Sequence, residues 1–303
     1  YFTTINAKLI IYNCVEENQF LGRDEHMSIE RAITEKMKER AIDRGQFSVV
    51  PFRYCRELAL MFGLSYKEAE LLALRSGLCP SRYERSIGTF GLEGQAKLLE
   101  SSAAVIGCGG LGGWIIEILA RAGVGRIVMV DGDVFDDNNL NRQLFASESN
   151  LGRSKAYAAA ERTEQINAAV TAVPYKIFID EENGMEILRG CGAVVDGLDN
   201  NLGRRAVFTL CCKLSVPFVH GAIGGFYGQV SVFRGGDSPM WESDDVPDKG
   251  LETETGNPPF TPPFIASVQA AETLKILAGL GGAAEKELLW FDLQRNDLQK
   301  IKL

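Results

Sequence analysis

The sequence is poor in the features that mark several large classes of protein. It has two histidines, no C-x-x-C pair and no G-x-x-x-x-G-K-[ST] phosphate loop. No apolar run is long enough to cross a bilayer and no charged-then-apolar leader opens the chain, so neither a membrane span nor a secretion signal is expected. Basic residues are outnumbered, with 32 Lys and Arg against 40 Asp and Glu and a net charge of −8, which leaves no general nucleic-acid footprint. The seven cysteines, Cys14, Cys55, Cys79, Cys108, Cys191, Cys211 and Cys212, follow no paired spacing, and their odd number points to reduced thiols in a cytoplasmic setting. His26 has no neighbouring ligand residue and reads as a surface side chain, while His220 reads as a strand-end residue facing either the core or a site.

The 303 residues leave room for one large α/β domain and a smaller appendage. The large domain is organised around Ala103 to Lys155. Ala103 to Ile106 is an apolar run with the look of a buried strand, and Leu111 to Ala122 carries apolar residues at helical spacing. Between them Gly107, Gly109 and Gly112 match the G-x-G-x-x-G spacing of a nucleotide-binding βαβ turn. Such a turn lets the backbone approach a phosphate and offers a helix N-terminus to negative charge. The next apolar strand, Arg126 to Val130, ends in Asp131, about twenty residues past the glycines, where a carboxylate meets ribose hydroxyls.

Beyond Asp131 come Asp133, then Asn138-Asn139-Leu140-Asn141-Arg142-Gln143, then Gly152-Arg153-Ser154-Lys155. Arginine gives a planar fork and lysine a compact charge, and both suit phosphate oxygens. Cations placed just past a ribose fit a triphosphate better than a hydride carrier. The glycine turn by itself leaves NAD, FAD and ATP all open.

The order of these pieces resembles the ThiF/MoeB/HesA family of ATP-dependent enzymes that adenylate the C-terminus of small ubiquitin-like sulfur carriers. The likeness is carried by Arg82-Tyr83-Glu84-Arg85, Gly91-Leu92-Glu93-Gly94-Gln95, Gly107-Cys108-Gly109-Gly110-Leu111-Gly112, Ala122-Gly123-Val124-Gly125, Asp131-Gly132-Asp133, Asn139 to Gln143, Gly152 to Lys155 and Asp196-Gly197-Leu198-Asp199-Asn200. It covers about residues 81–303. The resemblance implies a Rossmann-like, mostly parallel α/β sheet flanked by helices, with ATP and Mg²⁺ as cofactors. It implies that Gly107, Gly109, Gly110, Leu111 and Gly112 hold the nucleotide backbone, Asp131 the ribose, and Arg142, Lys155 and Arg85 the phosphates. Asp133, Asn138, Asn141, Gln143 and Asn200 complete the implied nucleotide site, and Asp199 is the implied Mg²⁺ ligand. Arg85 aligns with an arginine that reaches a neighbouring subunit's site, so a homodimer is implied, and Arg204 aligns with an arginine of structural role. The implied partner is a small ubiquitin-like carrier with a Gly-Gly C-terminus.

Two departures from the family pattern stand in the sequence. Many members carry two C-x-x-C pairs around zinc, and none occurs here, so no zinc is expected. Many place a cysteine in the loop that embraces the carrier's tail; no cysteine follows Cys212, so a persulfide or thioester step, which needs a thiolate, is not expected. Other readings remain. The glycine turn permits an NAD-dependent oxidoreductase, against which Arg142 and Lys155 argue. The fold permits a non-catalytic docking module, against which the joint presence of Asp131, Arg142, Lys155 and Asp199 argues. The same chemistry on a peptide or tRNA-linked carboxylate is a third.

Residues 1–80 read as a small, mostly helical domain for partner docking or dimerisation, with 81–303 as the adenylyltransferase domain. Leu9 to Cys14 reads as a strand, and Ser28 to Arg44, Arg53 to Phe62 and Ser65 to Ser76 as helices, the last opened by a Ser65/Glu68 capping box. Asn150 to Val170 reads as a helix with Lys155 in its first turn. Val173 to Ile179, Ala193 to Val195, Pro217 to Gly221, Gly228 to Phe233 and Leu288 to Leu293 read as strands, with Gln299 to Leu303 as the last, and Leu202 to Leu214 and Ala266 to Leu280 as helices. The proline-rich, acidic stretch from Asp237 to Pro263 reads as a long mobile loop crossing the surface.

Overall fold

The computed structural model describes residues 23–242 and 246–303. The strand expected at Leu9 to Cys14 and the side chain of His26 lie outside the described residues. The chain forms two compact units, Tyr1–Leu99 and Glu100–Leu303.

In the first unit the α-helices among the described residues are Arg23–Glu39, Phe52–Phe62, Tyr66–Arg75 and Ile87–Glu100, with strands β1 (Ile42–Asp43), β2 (Ser48–Val50) and β3 (Leu78–Pro80) in one small sheet. The capping box opens the third helix: the Ser65 hydroxyl accepts from the Glu68 N–H, and the Glu68 carboxylate takes the Ser65 N–H at 2.7 Å. Ile33, Met37, Val50, Cys55, Leu58 and Ala69 are buried together. The sheet was not legible in the sequence, because β2 pairs with β3 from some thirty residues away in three-residue strands. The unit also ends later than residue 80. Tyr83 and Ile87 pack with Val49 and Cys79, and the Tyr83 hydroxyl donates to the buried Glu70 carboxylate at 2.9 Å, with Arg82 Nε 3.1 Å from the same side chain. Arg82 and Arg85 lie in a 3-10 turn, Ser81–Ser86.

The second unit is built on an eight-stranded sheet in the order β11-β10-β9-β8-β7-β4-β5-β6. The strands are β4 (Ser102–Ile106), β5 (Arg126–Val130), β6 (Thr171–Tyr175), β7 (Ala193–Asp196), β8 (Phe218–Gly224), β9 (Tyr227–Phe233), β10 (Glu287–Asp292) and β11 (Asp297–Lys302). Pairing is parallel from β6 through β8 and antiparallel from β8 to β11. β4, β5 and β7 are almost continuously apolar because a parallel sheet is covered on both faces. One cover is the cluster of Ile187, Leu188, Val207, Phe208, Leu210 and Cys211 on Ala104, Ile106, Val128, Val130 and Val194. Helices Gly110–Ala122, Lys155–Ile166 and Thr261–Ala278 pack along the sheet as well, the last against β7, β8 and β9. Among the described residues no helix is long and apolar enough to cross a membrane.

The register sets the site. Ile106 pairs with Val130 on one side and Asp196 on the other, so β5, β4 and β7 end level. From β4 the chain moves outward to β5 and β6, then returns to the opposite flank at β7. That reversal opens a crevice beyond the carboxyl ends of the strands, where doubly wound sheets bind ligands.

Candidate active site

The crevice holds a cavity of about 600 Å³, and the described residues that line it belong to the second unit. Its floor is the glycine turn. Gly107 sits at φ +91°, and a Cβ there would lie 2.5 Å from the Gly197 carbonyl oxygen. A Cβ on Gly112 would lie 1.7 Å from the Gly107 oxygen. Neither position admits a side chain, so both glycines are fixed by the meeting of β4, β7 and helix Gly110–Ala122. Gly109, Gly110 and Leu111 line the cavity at the N-terminus of that helix, the end that favours negative charge. Cys108 is buried behind the turn, and burial pushes its thiol far above the ordinary range, leaving it inert as a nucleophile.

Asp131 follows β5 directly. Its carboxylate accepts the Cys108 N–H at 2.7 Å and the Asp133 N–H at 2.8 Å. Burial raises its pKa, opposed by those two hydrogen bonds and by Lys155. Lys155 stands in the first turn of its helix, as the sequence suggests, with Nζ 3.2 Å from Asp133 Oδ2 and little exposure. Arg142 is held by two acceptors, the Asn138 carbonyl and Asn141 Oδ1, each at 2.8 Å. Burial lowers its pKa, and the nearby Asp199 carboxylate works against that shift. Asn141 also donates to the Asn257 carbonyl at 3.0 Å, and neither it nor Asn138 lines the cavity. These two asparagines hold Arg142 in place. Gln143 is buried against Gly109, and its Oε1 has no hydrogen-bond partner among the described residues.

Asp199 and Asn200 close the far side. Asn200 caps helix Asn201–Leu214, its Oδ1 accepting the Gly203 N–H at 2.7 Å and its amide donating to Asp199 Oδ1 at 3.1 Å. Asp199 Oδ2 receives Lys249 Nζ at 2.8 Å. Burial pushes the Asp199 pKa up, but the Lys249 and Asn200 contacts outweigh it and hold the carboxyl below its usual range. Asp196 does not reach the cavity. It is fully buried and accepts from Arg204 Nε at 2.9 Å, His220 Nδ1 at 2.7 Å and the Leu198 N–H at 2.9 Å. Arg85 is exposed in the 3-10 turn Ser81–Ser86 of the first unit.

Several lining residues carry no local signal in the sequence. Lys249, Phe178, Gln229 and Trp241 come from loops and strands that only the fold brings together, and His220, which the sequence left between core and site, lines the cavity with them. Phe178 is 73% exposed and its ring covers Gly132, where a Cβ would come within 2.7 Å of it. The stretch read as a mobile surface loop forms part of the cavity wall. Asp248 Oδ1 takes the Leu202 N–H at 2.8 Å, its carbonyl takes the Asn201 N–H at 2.9 Å, and Asn201 donates to the Pro247 carbonyl.

The ThiF family model matches residues 83–303. This chain belongs to the ThiF family. Over 229 residues it is 34% identical to the adenylyltransferase and sulfurtransferase MOCS3-1 of Zea mays, covering 73% of this chain and 49% of that one. It is 35% identical over 218 residues to the SAMP-activating enzyme E1 of Haloferax volcanii, covering 70% of this chain and 80% of that one. The ThiF-family chain thus spans about half the length of the MOCS3 relatives. Among solved structures, PaaA aligns at TM-score 0.63 with 18% identity, covering 73% of this chain and 72% of that chain. MccB of E. coli, crystallised with ATP, aligns at 0.63 with 16% identity, covering 82% of this chain and 78% of that one. At those identities the two structures establish the shared α/β fold.

Proposed function

We propose that this ThiF-family chain is an adenylyltransferase that uses ATP and Mg²⁺ to activate the C-terminal glycine carboxylate of a small ubiquitin-like sulfur carrier. The observation that carries the reading is the convergence of Gly107, Gly109, Gly110, Leu111, Asp131, Arg142, Lys155 and Asp199 around one crevice. The relatives named as adenylyltransferases and as a SAMP-activating enzyme support the same class.

The residues present fit ATP. A helix N-terminus, a lysine and an arginine line the cavity and offer positive charge where phosphates would lie. Asp131 keeps its carboxylate at the strand end for ribose hydroxyls. The residues also fit Mg²⁺ held largely by phosphates and water, since Asp199 contributes a single carboxylate and such ions seldom need an all-protein cage. When bound, Mg²⁺ would be held by Asp199 and would supply positive charge that neutralises the phosphates.

In the reaction a carboxylate oxygen of the carrier attacks the α-phosphorus of ATP. The bond from that phosphorus to the bridging oxygen breaks, and pyrophosphate leaves with the electron pair. The nucleophile is already ionised at neutral pH, so no general base is needed. The chain's contribution is positioning and charge neutralisation by Lys155 and Arg142, with Arg85 reaching the phosphates from a second copy in a homodimer. Residues 1–80 serve docking or dimerisation in this reading.

Calorimetric titration of the chain with ATP and with NAD, each with Mg²⁺, tests the nucleotide class. Binding of ATP alone supports the proposal, and binding of NAD alone replaces it with a dehydrogenase.

A further inference from the structure

His220 and Gln229 line the cavity, yet the adenylation chemistry assigns them nothing. Both point to one face of the β8–β9 pair, because His220 is opposite Ser231 and Gln229 lies two residues before Ser231. His220 is 1% exposed, and its Nδ1 lies 2.7 Å from Asp196 Oδ2. Asp196 itself is fixed from the other side by Arg204 at 2.9 Å and by the Leu198 N–H. A ring nitrogen at that distance from a carboxylate carries its proton. Burial lowers the His220 pKa more than Asp196 raises it, so the ring is neutral and that proton is its only one.

The hydrogen bonds therefore have a fixed direction. With Nδ1 donating, Nε2 presents a lone pair. Gln229 reaches it at 3.1 Å, and only the amide NH₂ of glutamine can donate to a lone pair. Oε1 is then the atom that Gln229 offers to the cavity. Trp290 is the register partner of Gln229 on β10, and Tyr227 stacks on Trp290 with ring centroids 6.0 Å apart. The oxygen thus stands beside an aromatic shelf that also lines the cavity.

We propose that Gln229 Oε1 accepts a backbone N–H from the acceptor's extended carboxyl-terminal segment, and that His220, anchored by Asp196, is the positioning residue that keeps this oxygen turned toward it. The ligand class is a peptide tail with a free carboxylate, lying across the Tyr227 and Trp290 rings. The assignment rests on the adenylation reading.

The test is steady-state ATP–pyrophosphate exchange by the full chain, with purified Gly-Gly-ended carrier proteins as probes. Gln229→Leu, at a half-buried position, should raise the KM for the carrier about tenfold and leave the KM for ATP within about twofold. His220→Phe should raise the same carrier KM, and the double variant should be no worse than Gln229→Leu alone. An unchanged carrier KM in Gln229→Leu, equal rises in both KM values, or multiplying effects in the double variant would overturn the assignment while leaving adenylation standing. No exchange by the unaltered chain with any carrier overturns both. A fluorescence melt of each variant separates loss of fold from loss of recognition, and Gln229→Leu decides if His220→Phe does not fold.

Discussion

Lys249 Nζ lies 2.8 Å from Asp199 Oδ2 and 3.2 Å from the Asp199 carbonyl oxygen. A loop ammonium thus sits on the one carboxylate proposed to hold Mg²⁺. The two cations compete for the same oxygens. Both side chains are substantially exposed, and such pairs contribute about 0–1 kcal/mol. Lys249→Ala should therefore lower the half-saturating Mg²⁺ concentration in pyrophosphate exchange by up to about fivefold. An unchanged or raised Mg²⁺ requirement would show that Lys249 does not compete there.

Lys155 and Arg142 are both held by polar neighbours, Lys155 by Asp133 and Arg142 by Asn138 and Asn141. Lys155→Ala and Arg142→Ala should each lower exchange by about 10²- to 10³-fold, the scale for removing one preorganised electrostatic contact. Far-ultraviolet circular dichroism should be unchanged. Near-normal exchange in either variant removes that residue from the catalytic set.

Phe178 offers an exposed ring over Gly132, one residue past the proposed ribose carboxylate. Stacking of a base on such a ring contributes about 1–3 kcal/mol. Phe178→Ala should weaken ATP binding about tenfold by calorimetry, and Gly132→Ala should do likewise by displacing the ring. Unaltered affinity in both would place the base elsewhere.

The buried His220 gives stability a pH dependence of known sign. Its folded pKa lies below its ordinary value because burial disfavours the charged ring. The unfolded chain therefore binds more protons once the pH falls below about 6.5, and stability is lost on acidification. The tryptophans, Trp114, Trp241 and Trp290, all lie in the second unit, so their fluorescence reports its unfolding. Urea midpoints should fall between pH 7.5 and 5.5, and His220→Gln should flatten that slope. Asp196 adds nothing in this range: its pKa is held low by Arg204 and His220 against its burial, so its contribution fades only in the acid carboxylate range. Equal slopes for the two proteins would contradict the assignment of a neutral buried ring.

The parts of the molecule that were legible in the sequence are those in which neighbours in space are close in the chain. The turn from Gly107 to Gly112, Asp131 at the end of β5 and Lys155 in the first turn of its helix lie within fifty residues, and each has a backbone reason for its place. The apolar runs of β4, β5 and β7 declare a covered parallel sheet. What escaped reading depends on distant pairing. Lys249 meets Asp199 across fifty positions, and Asp196 meets His220 across 24. The β2–β3 pair is too short for any periodicity, and the polar composition of residues 237–263 hid the hydrogen bonds that tie Asp248 to helix Asn201–Leu214.

The central claim is that this crevice activates the carboxylate of a Gly-Gly-ended carrier with ATP, and ATP–pyrophosphate exchange tests it most directly. Purified chain is given ATP, Mg²⁺ and labelled pyrophosphate, with and without each Gly-Gly-ended carrier protein. Label entering ATP only when one carrier is present, and not in Lys155→Ala, is the predicted result. ATP binding without exchange for any carrier would contradict it.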